Sequence, residues 1–243
     1  MKNTPDNTPD FTFAHRDEGF DNHIEDSIRG YKHLHADVVN LSQYFVENDS
    51  DKMVLDIGCS TGKTIMAMME QNRSFAPKAL YVGVEYASGF RDDLWNREEE
   101  IKQKELGRAK FHIEDIRNFK FKPSSYSLIT SLFTLQFMPP SERQGILEKI
   151  YASLVSGGAF IFSEKTISSD SRIQDMITFT FYDHKRKTFD DKDILDKERT
   201  LRHMLKPNTW DELVSMLETA GFDSKKIQPF WQNHLFMGAI AMK

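Results

Sequence analysis

Residues 53–64 read M-V-L-D-I-G-C-S-T-G-K-T, and no other stretch constrains the fold as much. A short apolar run, Met53, Val54 and Leu55, ends in Asp56, and Gly58 and Gly62 follow. Ile65, Met66, Met68 and Met69 then recur at helical spacing. An apolar run without polar interruption suits a strand covered on both faces. The expected local structure is therefore strand, glycine turn, helix. Gly58 lets the backbone bend sharply and lets a ligand approach closely. Gly62 allows tight contact as the helix begins. The amides exposed at such a helix N-terminus favour electron-rich ligand groups.

Three ligand classes use turns of this kind. A P-loop requires G-x-x-x-x-G-K-[ST]; Gly62-Lys63-Thr64 supplies the tail, but Gly58 is one residue too close. A dinucleotide site requires G-x-G-x-x-G, and Ser60 stands at its second glycine. The third pattern, D-x-G-x-G-x-G, is the first motif of class I S-adenosylmethionine (SAM) methyltransferases. Asp56, Gly58 and Gly62 fit it, with Ser60 a small replacement for the middle glycine. An ordinary tight turn is the alternative for the motif taken alone. Cys59 has no histidine near it in sequence and reads as a small turn residue rather than a catalytic thiol.

The 243 residues suffice for one large α/β domain with an accessory segment. A net charge of -5 gives no general attraction to a phosphate backbone, so strong nucleic-acid binding is not expected. No apolar run approaches the roughly 20 residues that span a bilayer, and no signal peptide is visible. With a single cysteine, no internal disulfide forms, and a reducing cytoplasm is the expected compartment. His33-x-His35 lacks the further ligands of a metal site, so no metal is expected.

In chain order, residues 1–10 repeat N-T-P-D with no apolar residue after Met1 and read as a disordered tail. Residues 11–243 form the expected ligand-binding domain, opening with a flap and a helix over 11–46. Leu80 to Glu85 is the second strand, and its closing acid lies where a doubly wound fold binds ribose hydroxyls. Phe90 to Leu106 reads as a charged helix and Lys110 to Ile113 as strand three. Asp115 and Ile116 follow; alone Asp115 reads as a turn residue or helix cap, but as the third element of the series the acid and the next amide can meet an adenine edge. Tyr126 to Phe133 is strand four. Pro139-Pro140 sets up the next helix with Ser141 as its cap, and Gly157-Gly158 closes it. Residues 159–162 make strand five. The charged segment 166–206 carries Ile173, Met176, Ile177 and Phe181 near helical spacing and reads as a helical lid. Thr209 with Glu212 is a capping box. Residues 227–231 and 235–242 are expected to pair antiparallel. The fold class is α/β: a doubly wound, seven-stranded, mostly parallel sheet with an antiparallel last strand.

F-T-L-Q-F-M-P-P-S-E-R over 133–143, G-G-A-F-I-F-S-E-K over 157–165, D-I-G-C-S over 56–60 and D-I-R over 115–117 are more specific. Together with the closing L-F-M-G-A-I-A they resemble the carboxy-S-adenosyl-L-methionine synthase family across residues 20–243. The resemblance implies a class I methyltransferase fold binding SAM and prephenate. In the family, the carboxyl unit lost by prephenate is captured on the SAM methyl carbon. The products are phenylpyruvate and carboxy-SAM, and carboxy-SAM serves a partner enzyme that modifies wobble uridine in tRNA. The family's SAM-contacting positions fall on Tyr31, Gly58, Cys59, Ser60, Glu85, Tyr86, Asp115 and Ile116. Leu132 takes the position of a family asparagine beside the sulfonium. The family's lid arginine matches Arg199, with Arg202 as runner-up, and the alternative for Arg199 is a surface salt bridge with a neighbouring acid. A homodimer is the assembly the resemblance implies.

Two other functions stay open. Leu132 and the short interval between Phe20-Asp21 and Gly30-Tyr31 motivate an ordinary methyltransferase, acting on a small molecule or nucleic acid and releasing S-adenosylhomocysteine. The same residues motivate a SAM-binding partner protein without turnover.

Overall fold

The computed structural model describes residues 19–243. The expected tail and flap residues 11–18 lie outside the described residues. Two helices open the chain, α1 (Phe20–Ser27) and α2 (Tyr31–Ser42). Then come β1 (Met53–Ile57), α3 (Lys63–Asn72), β2 (Leu80–Glu85), α4 (Arg91–Gln103), β3 (Arg108–Ile113) and β4 (Tyr126–Leu132). After them come α5 (Pro140–Ser153), β5 (Leu154–Lys165), α6 (Ser171–Lys185) and α7 (Asp191–Met204). The chain ends with α8 (Trp210–Ala220), β6 (Ile227–Asn233) and β7 (Phe236–Met242).

The seven strands form one sheet in the order β3-β2-β1-β4-β5-β7-β6. β7 runs antiparallel to both its neighbours, and the other pairings are parallel. The expected fold class is the observed one. Strand periodicity explains how the sheet acquires two cores. In β1, Val54 faces one apolar cluster while Leu55 and Ile57 face the other, because successive side chains alternate. The first cluster packs α2, α3 and α4 through Leu34, Val38, Ile65, Met68 and Leu94. The second packs α5 and α8 through Ile146, Ile150, Leu213 and Leu217. Leu55, Leu128 and Ile150 are fully buried, and each such side chain stabilises the fold by roughly 2 kcal/mol.

Among the expected boundaries that move are both ends of α5. Pro140 occupies the first turn of α5 and Pro139 is its cap residue, so Ser141 lies inside the helix and caps nothing. The same helix ends at Ser153, well before Gly157-Gly158. Leu154 pairs with Tyr126 at once, and the two glycines lie within β5 where its register with β4 shifts. Gly157 takes a φ of 78°, the left-handed conformation that such an irregularity requires. The capping box at Thr209 and Glu212 forms as expected, and α8 stops at Gly221 with φ 117°.

The segment 166–206 contains α6 and α7. Phe181 is buried, but Ile173 and Met176 are exposed, so the apolar spacing of α6 does not mark one inward face. No helix among the described residues is long and apolar enough to cross a membrane.

Candidate functional site

The order of strands reverses at β1, whose neighbours are β2 and β4, and ligands of open α/β sheets sit at that reversal. A cleft of about 1320 Å³ opens there, beyond the carboxyl ends of β1, β2 and β4. The glycine turn forms its floor. Gly58 has φ 72°, and a Cβ on it would lie 2.1 Å from Thr134 Oγ1. Thr134 Oγ1 instead donates to the Ile57 carbonyl at 3.1 Å, tying the β4 tip to the β1 tip. Ser60 is also left-handed, with φ 48°. Gly62 caps α3 in the left-handed region, and no side chain caps that helix.

Glu85 closes β2 and is 7% exposed. Its Oε2 accepts from the Ser60 amide at 2.9 Å and its Oε1 from the Ala87 amide at 2.7 Å. Burial pushes its carboxyl above the usual range, and these amide bonds work against that shift. A carboxylate offers about four lone-pair sites, so two remain for the paired hydroxyls of a ribose. Tyr86 stands exposed on the cleft rim.

Asp115 and Ile116, just past β3, line the same cleft. The Arg117 guanidinium grips Asp115 and holds its carboxyl below the usual range. Ile116, 8% exposed, is an apolar surface suited to a flat heterocycle. Leu132, at the tip of β4, also lines the cleft.

Four expected residues support the turn from behind, outside the cleft lining. Asp56 is 2% exposed and accepts from Thr130 Oγ1 at 2.6 Å. Burial pushes its carboxyl up to about 7. Burial likewise pushes the Cys59 thiol well up, which removes it as a nucleophile at neutral pH. Its Sγ fills the space beside Gly83. Tyr31 is buried beneath the cleft against Phe133, ring centroids 6.3 Å apart, and burial raises its phenol. Gly62 faces Leu94, Arg97 and Phe111.

The lid arginines lie elsewhere. The Arg199 side chain is 78% exposed and pairs with Asp196 at 3.0 Å on its own helix. Arg202 is exposed too, and neither lines the cleft. The lysines that do line it on that side are Lys165, Lys185, Lys197 and Lys206, together with Glu198. Sequence reasoning missed them because helical spacing in so charged a segment does not say which lysine turns inward. Lys165 alone carried a signal, as the last residue of the S-E-K block.

The helix α1 covers the turn. Thr61 Oγ1 donates to Asp21 Oδ1 at 3.1 Å, and Lys63 Nζ to Glu25 Oε1 at 2.8 Å. Phe20 meets Phe90 edge-on at 5.2 Å. Among the described residues, no cluster of three metal-ligating side chains occurs.

Residues 54–158 match the family described as Methyltransferase domain. The carboxy-S-adenosyl-L-methionine synthase of Staphylococcus epidermidis is 30% identical over 225 residues, covering 92% of each chain. An O-methyltransferase family protein from Burkholderia thailandensis superposes with a TM-score of 0.58 at 15% identity, over 95% of this chain and 61% of that one. Human N-acetylserotonin methyltransferase, solved in complex with SAM, gives 0.56 at 16% identity, over 86% of this chain and 51% of its own. At these identities the two structural likenesses speak for the fold.

Proposed function

This chain belongs to the carboxy-S-adenosyl-L-methionine synthase family, and on that premise we propose that it carries a carboxyl group from prephenate to SAM. It is a SAM-dependent transferase. The residues fit the nucleoside: Gly58 leaves a cradle that a Cβ would fill, and Glu85 presents its carboxylate beside it. That pairing, an acid closing β2 next to a left-handed glycine turn, is the observation that carries the reading.

Glu85 accepts the ribose hydroxyls through the lone pairs its amide partners leave. Asp115 and Ile116 meet the adenine. SAM, once bound, supplies an activated methyl carbon. Leu132 and Phe133 border that end of the cleft and keep water from it. In the balanced reaction the methyl carbon loses one proton and gains the carboxyl group. Prephenate loses carbon dioxide and its hydroxyl, which leaves as water with that proton, and phenylpyruvate remains. The protein's part is to position the reactants and place charge. Carboxy-SAM would then serve tRNA wobble-uridine modification.

The test is mass spectrometry of the nucleosides formed from SAM and prephenate. The expected product is heavier than SAM by one carbon dioxide and appears with phenylpyruvate. Leu132, an apolar residue where the family has asparagine, favours a second reading, methyl transfer. Release of S-adenosylhomocysteine without the heavier product would establish that reading and end the first.

A further inference from the structure

The sequence blocks at 133–143 and 163–165 meet in space, at the place where the lid segment leaves the sheet and returns to it. β4 and β5 pair as far as Leu132 and Ser163, and the Phe133 amide adds one more bond, to the Ser163 carbonyl at 2.7 Å. Phe133 then takes a φ of 58° and its chain turns away. The next β5 amide on that side, at Lys165, lies past the end of β4. An amide shielded from water needs an acceptor. The Gln136 side chain supplies it, with Oε1 2.7 Å from the Lys165 nitrogen. Glu164 Oε1 answers from the other strand, accepting from the Leu135 amide at 3.1 Å. Each block thus gives a side chain to the main chain of the other.

The far root of the lid reaches the same residue. The Lys206 amide donates to the Gln136 carbonyl at 3.1 Å. Arg143, 3% exposed, donates to that carbonyl at 3.0 Å, to the Met138 carbonyl at 3.0 and 2.9 Å, and to Asn208 Oδ1 at 2.5 Å. The Asn208 carbonyl accepts from the Ile167 amide at 3.1 Å, joining the two roots directly. Segment 166–206 therefore begins and ends on one node. Between its roots, Glu198 and Leu201 of α7 line the cleft, while Gln136 lines it from the loop that follows Leu132 and Phe133. Glu85 and the glycine turn are held by their own amide bonds, apart from this node.

We propose that Gln136 is a positioning residue, clamping both roots of the lid to the loop after β4 so that the lid groups stand at a fixed height over the reactive end of the cleft. The proposal rests on the two-substrate reading above for the step it serves, and it places control of that step outside the nucleoside contacts. Misplacing reacting groups by about 1 Å can cost about 10²-fold in rate. Binding of the nucleoside, on the opposite side of the cleft, is spared.

Hydrogen exchange read by mass spectrometry tests it on the full chain with SAM bound, beside SAM calorimetry and product formation at saturating SAM and prephenate. In Gln136→Met, peptides covering 163–168 and 204–209 are expected to exchange at least tenfold faster. Product formation should fall at least tenfold, with SAM affinity unchanged within twofold, a split that general loss of stability would not produce. Asn208→Leu, which removes the Arg143 contact at the far root, should show the same split at threefold or more. Gln136→Glu made together with Glu164→Gln keeps an acceptor at each site and should recover most of the rate. Lys192→Met, on an exposed lysine, leaves all three readouts unchanged. Should Gln136→Met not fold, as judged by circular dichroism, Asn208→Leu decides the question. The proposal is overturned if the folded variants exchange at the lid roots as wild type does, if their turnover is that of wild type, or if SAM affinity falls in step with turnover. Faster root exchange and slowed release of S-adenosylhomocysteine, in a protein whose wild type forms no carboxylated product, would sustain the clamp and end the prephenate reading.

Discussion

At one end of the cleft, Gly58, Ser60 and Glu85 are fixed by strand register and backbone amides; at the other, Lys165, Lys185 and Glu198 project from a strand end and two lid helices. Glu85 is anchored at 2.9 and 2.7 Å by main-chain donors, while Glu198 hovers at 3.7 and 4.0 Å between side chains. The first end is built from geometry that tolerates no added atom. The second is built from long side chains that reach in from a strand end and two helices. On the proposed function, the rigid end would define what the scaffold binds and the lid end would tune what reacts with it.

The largest expected effect breaks the first end. Gly58→Ala puts a methyl group 2.1 Å from Thr134 Oγ1 and holds alanine at a φ of 72°. It should cost about 2–3 kcal/mol of stability, lowering the Tm by roughly 5–10 °C. SAM affinity should fall about tenfold or more by calorimetry. Adding Thr134→Ala should recover part of both losses. Unchanged SAM affinity in the single variant would erase the contrast between the two ends.

A second expectation concerns the buried acids under each end. Burial pushes Asp56 up to about 7 and Glu164, beside Lys165, up to about 8; the amides of Leu135 and the Arg143 charge oppose the latter shift. A carboxyl raised in the folded chain holds its proton longer there than in the unfolded one. Its contribution is complete below the unfolded range near about 4 and is lost as pH rises through the folded value. Each acid should therefore lower stability by roughly 1 kcal/mol per pH unit, Asp56 between about pH 5 and 7 and Glu164 between about pH 5 and 8. Asp56→Asn and Glu164→Gln should each flatten that slope in denaturant titrations. A slope of the opposite sign would remove the assignment.

The smallest effect sharpens the second end. Arg199→Ala removes an exposed pair within one helix, worth about 0.2–0.5 kcal/mol. Tm and SAM affinity should hardly move in scanning calorimetry and titration. A collapse of turnover at unchanged Tm would instead place Arg199 in the reaction.

The same contrast explains what the sequence disclosed. Glu85 was legible because an apolar run of β2 ends in it at a set distance from Gly62, and strand ends in this fold are fixed by the sheet. The residues around Gly58 were legible because glycine and small residues are the ones a left-handed turn admits. The lid was legible only as helices. Lys185 is buried and Arg186, next to it, is exposed, yet both are cations in a charged run. Tertiary placement, with Lys185 against Phe181 and Glu198, separates them. Gly157-Gly158 misled for a related reason: a glycine pair after an apolar helix is a stop signal locally, but Leu154 is claimed by Tyr126 across the sheet. Long-range pairing overrode the local signal there.

The clasp of α1 over the glycine turn has a consequence for how long a nucleoside stays. Beside the Phe20 ring and the Lys197 contacts to His23 and Ser27, its fastenings include a hydroxyl–carboxylate contact and Lys63 with Glu25, whose side chains are 34% and 18% exposed. Contacts of that kind weaken as ionic strength rises, whereas the apolar clusters on either side of the sheet do not. Residence time in the crevice should thus shorten in salt while the sheet beneath stays folded, making escape of the nucleoside a matter of unfastening one short helix.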